Sequence, residues 1–560
     1  MNKKHSDHHD LDDLITRRKF LGTTALSSAA LLSGGITSLL RQSASASHGS
    51  FDFVEKSILE LQAAMASGQL NSRELTHGYI RRIQSLNPLI HSVIELNPNA
   101  IAIATQLDAE RRRGFVRGPL HGIPLLVKDN IATDDQMQTT AGSLAIYGNH
   151  VPADAVIIQQ LRAAGAIILG KTNLGEWANF RSNIPVYPLA VGWSARGGDT
   201  KNAYDLSYTS WGSSSGSGNG AAANLCAAAI GSETDGSITG PSAVENIVGL
   251  KPTLGLVSQD GIVPIAHEQD TAGPMARSVT DVAILLGVLR SPFGEVIGHQ
   301  LPSDYTQFLD PNALDGAVIG RDMRFFDYSY YGSGIPGDEL TVAFAENALN
   351  VMESLGATIV DVDTGDVFAY SGDEFTALLY EFRAQIADYL ATLTHTNMRT
   401  LADLIAFNDA HCTQEMPYYG QEVFLLAEMF PGYPNDPAYI AARTHARSAA
   451  RSGIDNVINS GVDAIVAPHL TNSTGPAVSG YPNLSLPVGI RDSGRPAGML
   501  MYSTFLHEPQ LIGFGYALEQ ALNVRQQPQF LGSIIPIPNA DLCQGHQNRG
   551  RPHLPHGKIF

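Results

Sequence analysis

Two serine-bearing glycine loops lie close together in this chain: "GSSSGSG" from Gly212 to Gly218, and "GSETDGSITG" from Gly231 to Gly240. Glycines permit backbone geometries closed to other residues, and such turns can aim free N–H groups at a developing oxyanion. A serine hydroxyl is a weak nucleophile until a base takes its proton. Lys128 is a candidate base, because it ends the apolar run "PLLV" from Pro124 to Val127. Burial disfavours an ammonium and lowers its pKa, so a buried lysine can be neutral and accept a proton. An isolated lysine after a strand is ordinarily a solvated surface group. The serine loops are what single this one out.

The stretch Trp211–Ser242 has a linker's composition, yet Ala221 to Ile230 in its middle is apolar. Alanine-rich and flanked by turns, Ala221–Ile230 reads as a buried helix. Both loops are then anchored on a core element. Upstream, residues 51–113 read as three helices. The first stops near Gly68. The second has Asn71 or Ser72 as its cap and ends before Pro88. The third ends at Gly114. Leu125–Val127 reads as a short buried strand. "DAVIIQQLRAAGAIILGKTN" reads as a helix, a stop at Gly165 and a strand, and "DELTVAFAENALNVMESLGATIVDV" repeats that pattern. "GVDAIVAPHL" and "GRPAGMLMYST" supply late strands. Helices alternating with strands predict a layered α/β domain. No fixed repeat or Pro-rich linker divides the chain, so a single large domain is expected.

With 44% apolar and 16% charged residues, the 560-residue chain has a globular composition. Its net charge of −18 argues against nucleic acid as a partner. The three cysteines, Cys226, Cys412 and Cys543, form no disulfide framework and no zinc spacing. They are expected to be unlinked thiols, with a single disulfide left open. "TRRKFLGTTALSSAALLSGGITSLL" begins at Thr16, and Ala44-Ser45-Ala46 fits a small-residue cleavage site. The segment 1–46 resembles a twin-arginine signal peptide, which implies export through the twin-arginine translocation machinery to the periplasm or the medium. The competing reading is an uncleaved membrane anchor, against which the Ser, Thr and Gly of this stretch count. Cleavage would take the net charge to −20, since residues 1–46 hold six Lys/Arg and four Asp/Glu. A soluble exported protein with no stable membrane association is expected. Residues 47–540 are assigned to the catalytic domain and the polar residues 541–560 to a mobile tail. The histidines of "HSDHHD", and His546, His553 and His556 in the tail, read as solvated groups; no metal is expected.

The blocks "GPLHGIPLLVKDNI", "GSSSGSG", "AIGSETDGSI", "VGLKPT" and "DTAGPMARSVTD" occur in one order between about Gly118 and Gly287. Together they resemble the amidase signature hydrolases, and weaker similarity reaches "GYPNLSLPVGI". The resemblance implies a mixed central sheet with helices on both faces. It also implies a Ser–Ser–Lys triad that needs no cofactor: Lys128 from the "KDN" block, Ser213 from the Gly-Ser-Ser block on a cis peptide bond, and Ser237 after the glycine of "TDGS". Ser237 is then the nucleophile and Ser213 the relay to Lys128. The N–H groups around Thr234, Asp235 and Gly236 are the expected oxyanion donors. This sequence departs from the family at several points. Ser210-Trp211-Gly212 stands where many members have Pro-Gly-Gly, and Tyr208, Ala203 and Thr239 stand where arginine, proline and arginine are common. Trp211 is a candidate pocket wall or simply a packing residue of the turn.

"ETDGSITGP", "GWSARGGDT" and "DNIATDDQMQTTAGSLA" resemble the peptide amidase branch, which implies removal of ammonia from the C-terminal carboxamide of peptides. The alternatives are other amides (aryl acylamides, fatty or oligomeric amides), the catalytic subunit of a tRNA-dependent amidotransferase, and a protein that only binds. "GSSSG" also matches the G-x-S-x-G elbow of α/β-hydrolases, centred on Ser214. That reading needs a strand just before it and a catalytic histidine downstream, such as His267 or His469. "DLSYTSW" is a poor strand.

Overall fold

The computed structural model describes residues 51–182, 191–327, 339–537 and 542–543. The segment 1–46, the histidines of "HSDHHD" and those of the tail lie outside the described residues.

Eleven strands form one mixed sheet: β1 (Val93–Leu96), β2 (Pro124–Lys128), β3 (Ile167–Thr172), β4 (Ala228–Glu233), β5 (Val248–Lys251), β6 (Thr271–Ala276), β7 (Val318–Asp322), β8 (Thr358–Val362), β9 (Ala464–Pro468), β10 (Asn483–Ile490) and β11 (Pro496–Tyr502). Their spatial order is β1-β3-β2-β4-β6-β5-β10-β11-β9-β7-β8. The pairs β2–β3, β2–β4, β7–β8 and β7–β9 are parallel, and the other neighbours are antiparallel. Every residue of β2, β3, β4 and β6 is buried. Side chains alternate between the faces of a strand, so continuous burial means that both faces are covered. The helices include α1 (Ile58–Ala66), α2 (Ser72–Ile90), α3 (Ala100–Arg112), α4 (Val156–Ala163), α5 (Ser215–Ala222), α6 (Thr239–Val244), α7 (Val279–Leu289), α8 (Glu339–Ser354), α9 (Ser371–Thr392), α10 (Pro437–Asn459) and α11 (Glu508–Leu522). Of these, α2, α3, α4, α5 and α7 pack on these four strands, α6, α8 and α11 on the rest of the sheet, and α9 against α10. The α/β architecture expected from the sequence is therefore present. Among the described residues no helix is long and apolar enough to cross a membrane.

Local chemistry sets the helix starts. Ser57 caps α1 and Asn71 caps α2, each closing a capping box with a glutamate three residues on. The second helix does not stop before Pro88 but runs through it to Ile90. The proline removes one donor close to the helix end, while Leu86 and Ile90 bury and His91 closes the helix in a left-handed conformation. The edge strand β1 lies within a stretch expected to be helical.

The larger correction concerns Ala221–Ile230. It is not one helix. The helix α5 begins earlier, inside the Gly-Ser block, and stops at Ala222; Asn224 turns the chain at φ +56°, and Ala228 starts β4. Pairing decides this. Ala228, Ala229 and Ile230 lie beside Leu125, Leu126 and Val127 of β2, and the ladder to β6 fills their other edge. Tertiary pairing overrides the helix preference of alanine. Glycines let α5 sit close to the sheet. A Cβ on Gly216 would come within 2.2 Å of the Ser92 carbonyl oxygen and 2.7 Å of the Asn173 backbone.

The cysteine expectation is also corrected. Cys412 and Cys543 form a disulfide across 131 residues, and Cys226 is free and buried. Spacing could not reveal this pair, because the fold brings the C-terminal segment back across the molecule. Phe530 and Leu531 donate N–H bonds to Ala203 and Tyr204, and Ile537 packs against Trp193 and Tyr419. The tail is tied down at Cys543; the remainder of 541–560, Leu542 aside, lies outside the described residues.

Gly216→Ala should lower stability by about 1–3 kcal/mol, because backbone atoms rather than flexible side chains oppose the new methyl. Thermal denaturation reads this as a lowered Tm.

Candidate active site

Lys128 is the last residue of β2 and is fully buried. Its Nζ lies 2.8 Å from Ser213 Oγ, 2.9 Å from Ser232 Oγ and 3.0 Å from the Ser232 carbonyl oxygen. The carbonyl can only accept. Ser232 Oγ also accepts from Asn130 Nδ2 at 2.9 Å. A neutral amine fits this set well. When neutral, the amine can donate its two hydrogens to the two oxygens of Ser232 and receive the Ser213 hydroxyl on its lone pair. Burial lowers the Lys128 pKa to about 7, against the opposing pull of Glu233 and Asp270. Desolvation outweighs both carboxylates, so the amine is substantially unprotonated near neutral pH.

Ser213 follows a cis peptide bond from Gly212, and its carbonyl accepts the Gly175 N–H at 3.0 Å. The next residue, Ser214, donates its N–H to the Ser237 carbonyl at 3.1 Å, which joins the two serine loops. Ser214 Oγ donates to the Ser232 carbonyl and accepts the Ser232 N–H, so this hydroxyl holds β4 against the start of α5. Residues 205–211 contain no strand. Ser214 therefore lacks the strand-to-helix turn of a G-x-S-x-G elbow.

Ser237 sits in the turn between β4 and α6. Gly236 adopts φ +72°, which suits glycine. No hydrogen bond among the described residues uses the N–H groups of Asp235, Gly236 or Ser237. Thr234 is pinned, with its Oγ1 donating to Asp270 Oδ1 at 2.6 Å. Asp235 accepts from Thr474 Oγ1 at 2.7 Å. Glu233 Oε2 takes the N–H groups of Ile238 and Thr239, at 2.6 and 2.8 Å, and so caps the helix that starts behind Ser237. Thr239 Oγ1 adds a bond to the same oxygen at 3.2 Å. The Trp211 ring lies on the first turn of α6, where a Cβ on Gly240 would meet Cδ1 at 2.2 Å.

Of the site residues expected from the sequence, Lys128 bonds Ser213 directly, the Ser213 loop meets the Ser237 loop through the Ser214 N–H, and Thr234–Gly236 form the turn before Ser237; among the described residues Ser213 Oγ and Ser237 Oγ make no hydrogen bond to each other. Asn130, Ser232 and Glu233 join them without having been anticipated. Their signal was available, since each lies inside a block already singled out. None of the three, however, stands at the position in its block to which the resemblance assigns a role.

A mixed α/β sheet that buries a lysine against serine loops defines a hydrolase-type site. The chain belongs to the amidase family: the family model "Amidase" matches residues 74–477. It is an amidase signature enzyme, a hydrolase of amides. The native peptide amidase from Stenotrophomonas maltophilia has a crystal structure with 44% sequence identity and a TM-score of 0.78, covering 85% of this chain and 99% of that one. An Arabidopsis thaliana protein named as a probable amidase is 37% identical over 516 residues, spanning 90% of this chain and 96% of that protein. A glutamyl-tRNA(Gln) amidotransferase subunit from Halorhodospira halophila is 31% identical over 501 residues, spanning 84% and 98%.

The charge of Glu233 favours the ammonium form of Lys128. Glu233→Gln removes that charge, so the Lys128 pKa should fall further. The acid limb of kcat/KM against pH should then move to lower pH, and a pH series on wild type and variant checks this.

Proposed function

We propose that this enzyme hydrolyses the C-terminal carboxamide of peptides to acid and ammonia through an acyl-enzyme on Ser237. One observation carries the mechanism: Lys128, dry and depressed in pKa, hydrogen-bonds Ser213 at 2.8 Å on the loop that adjoins Ser237.

Neutral Lys128 accepts the Ser213 proton while Ser213 takes the proton of Ser237. Ser237 Oγ attacks the amide carbonyl. The N–H groups of Asp235, Gly236 and Ser237 are free to receive the oxyanion. Ser213 returns a proton to the departing amine, and water then releases the acid by the reverse relay. The peptide substrate class is supported by 44% identity to the peptide amidase over nearly all of that chain, a closer likeness than the 31% to the amidotransferase. Trp211, partly exposed beside α6, is the proposed wall of the acyl pocket.

Export is the second element of the reading. The twin-arginine-like segment at Arg17-Arg18 supports it, and so does the Cys412–Cys543 disulfide, a bond that persists in oxidising compartments.

Lys128→Ala and Ser237→Ala should each lower amide hydrolysis by at least about 10⁴-fold, and Ser213→Ala by about 10²- to 10⁴-fold, with the fold retained by circular dichroism. Ammonia release from peptide carboxamides should exceed turnover of anilides and fatty amides. Turnover near the wild-type rate in Lys128→Ala or Ser237→Ala would sink the mechanism, and preference for a fatty amide would sink the substrate class. In wild type, activity should fall as pH drops through about 7, where Lys128 gains its proton. For export, replacing Arg17 and Arg18 together by lysine should leave the full-length protein in the cytoplasm; cell fractionation decides.

A further inference from the structure

Thr234 is held at two points by two consecutive residues. Its hydroxyl donates to Asp270 Oδ1 at 2.6 Å, and its carbonyl accepts from Gln269 Nε2 at 3.4 Å. Asp270 is itself fixed, because its Oδ2 takes the N–H groups of Ile265 and Ala266 at 2.7 and 3.0 Å. Gln269 Nε2 has two hydrogens and two acceptors, the second being Glu374 Oε1 at 2.8 Å.

Glu374 begins a stripe on one face of α9. Glu374, Glu381 and Gln385 recur at helical spacing and are all buried. They engage three successive residues of the loop before β6. Gln385 Oε1 takes the His267 N–H at 2.9 Å, Glu381 Oε2 the Glu268 N–H at 3.2 Å, and Glu374 the Gln269 amide. From α10, Arg443 and Arg447 reach Glu268 Oε2 at 2.7 and 2.6 Å, and Arg447 also donates to the Glu268 carbonyl at 2.6 Å. Residues 267–269 are thus clamped between two helices that touch no reacting atom, and Gln269 with the adjoining Asp270 in turn fixes the residue three before Ser237.

We infer that Gln269 and Asp270 are positioning residues: Gln269, in the loop clamped by the α9 stripe and the α10 arginines, and Asp270, fixed by the Ile265 and Ala266 N–H groups, hold Thr234 so that the N–H groups of Asp235–Ser237 point at the oxyanion. The inference rests on the reading of Ser237 as nucleophile. Burial and the charge of Asp235 raise the Glu374 pKa well above the carboxylate range. A neutral carboxyl at 374 resembles a glutamine, which sets up a conservative control.

The probe is a peptide aldehyde, which adds to a serine hydroxyl and places its new oxygen in the oxyanion site, compared with the peptide acid product, which forms no such oxyanion. Gln269→Ala should lower kcat by about 10-fold or more, since loss of one oxyanion donor typically costs about 10²- to 10³-fold and here the donors are only misaligned. KM and product affinity should stay within about twofold, and aldehyde affinity should fall with kcat. Thr234→Val, which keeps the side-chain shape but loses the Asp270 bond, should behave alike. Glu374→Ala should do so too, while Glu374→Gln retains wild-type kcat. If Gln269→Ala does not fold, the Thr234→Val and Glu374 pair decide the matter. Wild-type kcat and aldehyde affinity in the Ala and Val variants would overturn the inference. So would equal losses in aldehyde and product affinity, which mark general damage. Aldehyde binding by wild type but not by Ser237→Ala tests the nucleophile separately.

Discussion

The site depends on keeping one amine out of water. Two carboxylates, Glu233 and Asp270, pull Lys128 towards the ammonium, yet its pKa still falls to about 7 because burial outweighs them. That burial is a property of the sheet. Lys128 ends a strand flanked by two parallel neighbours, β3 and β4, with no solvent on either face. A lysine placed there without partners would be costly. The two oxygens of Ser232 supply acceptors, and the hydroxyl of Ser213 is the third partner. The same contacts that make the neutral amine tolerable aim it at the serine loop.

Dryness in turn demands close packing, and small residues provide it. A Cβ on Gly231 would collide with Ser214 Oγ at 2.8 Å, one on Gly240 with the Trp211 ring, and one on Gly249 with Ser242 Oγ at 2.1 Å. These glycines let the Ser213 loop lie directly on β4 and α6, and α6 on β5. The hydroxyls of Ser214, Ser215 and Ser217 are spent on backbone carbonyls, so half of the six serines of the two blocks are structural in this way. What distinguishes Ser213 and Ser237 from them is position: one follows the cis bond beside the amine, and the other sits in a turn with unused N–H groups. Composition alone could not separate them.

The parts of the site that were legible in the sequence are those with a chemical signature. A lysine closing an apolar run reads as a candidate buried base only beside the serine loops, and glycine-serine loops read as turns. The ordered blocks then assign each residue a place. Less was legible where pairing partners decide. Ala228–Ile230 has helix-forming composition but lies between two strands, and no local signal reveals that. Val93–Leu96 becomes a strand only because β3 offers an edge. Pro88 misled for the opposite reason: a local rule held, but only one rung of hydrogen bonding was at stake. The Cys412–Cys543 pair depends on a returning C-terminal segment, a feature of topology alone.

The departures from the family pattern follow the same logic of local compensation. Ala203 replaces a proline and keeps its N–H, which donates to Glu245 at 3.2 Å; a proline could not. Tyr208 replaces an arginine, and the Arg495 guanidinium lies 4.3 Å from its ring centroid, so a cation is retained at that surface from a different strand connection. Thr239 also replaces an arginine, and its hydroxyl joins the N–H groups already held by Glu233. Each exchange alters the rim or support of the Ser237 turn, and none removes a bond to Lys128 or Ser213. Trp211 is the exception in kind. It adds a large ring where small residues are common, directly above the first turn of α6, so it changes the shape of what can approach Ser237. Substrate choice in this chain is therefore expected to vary with the residues around the turn, while the dry lysine beneath them stays the same.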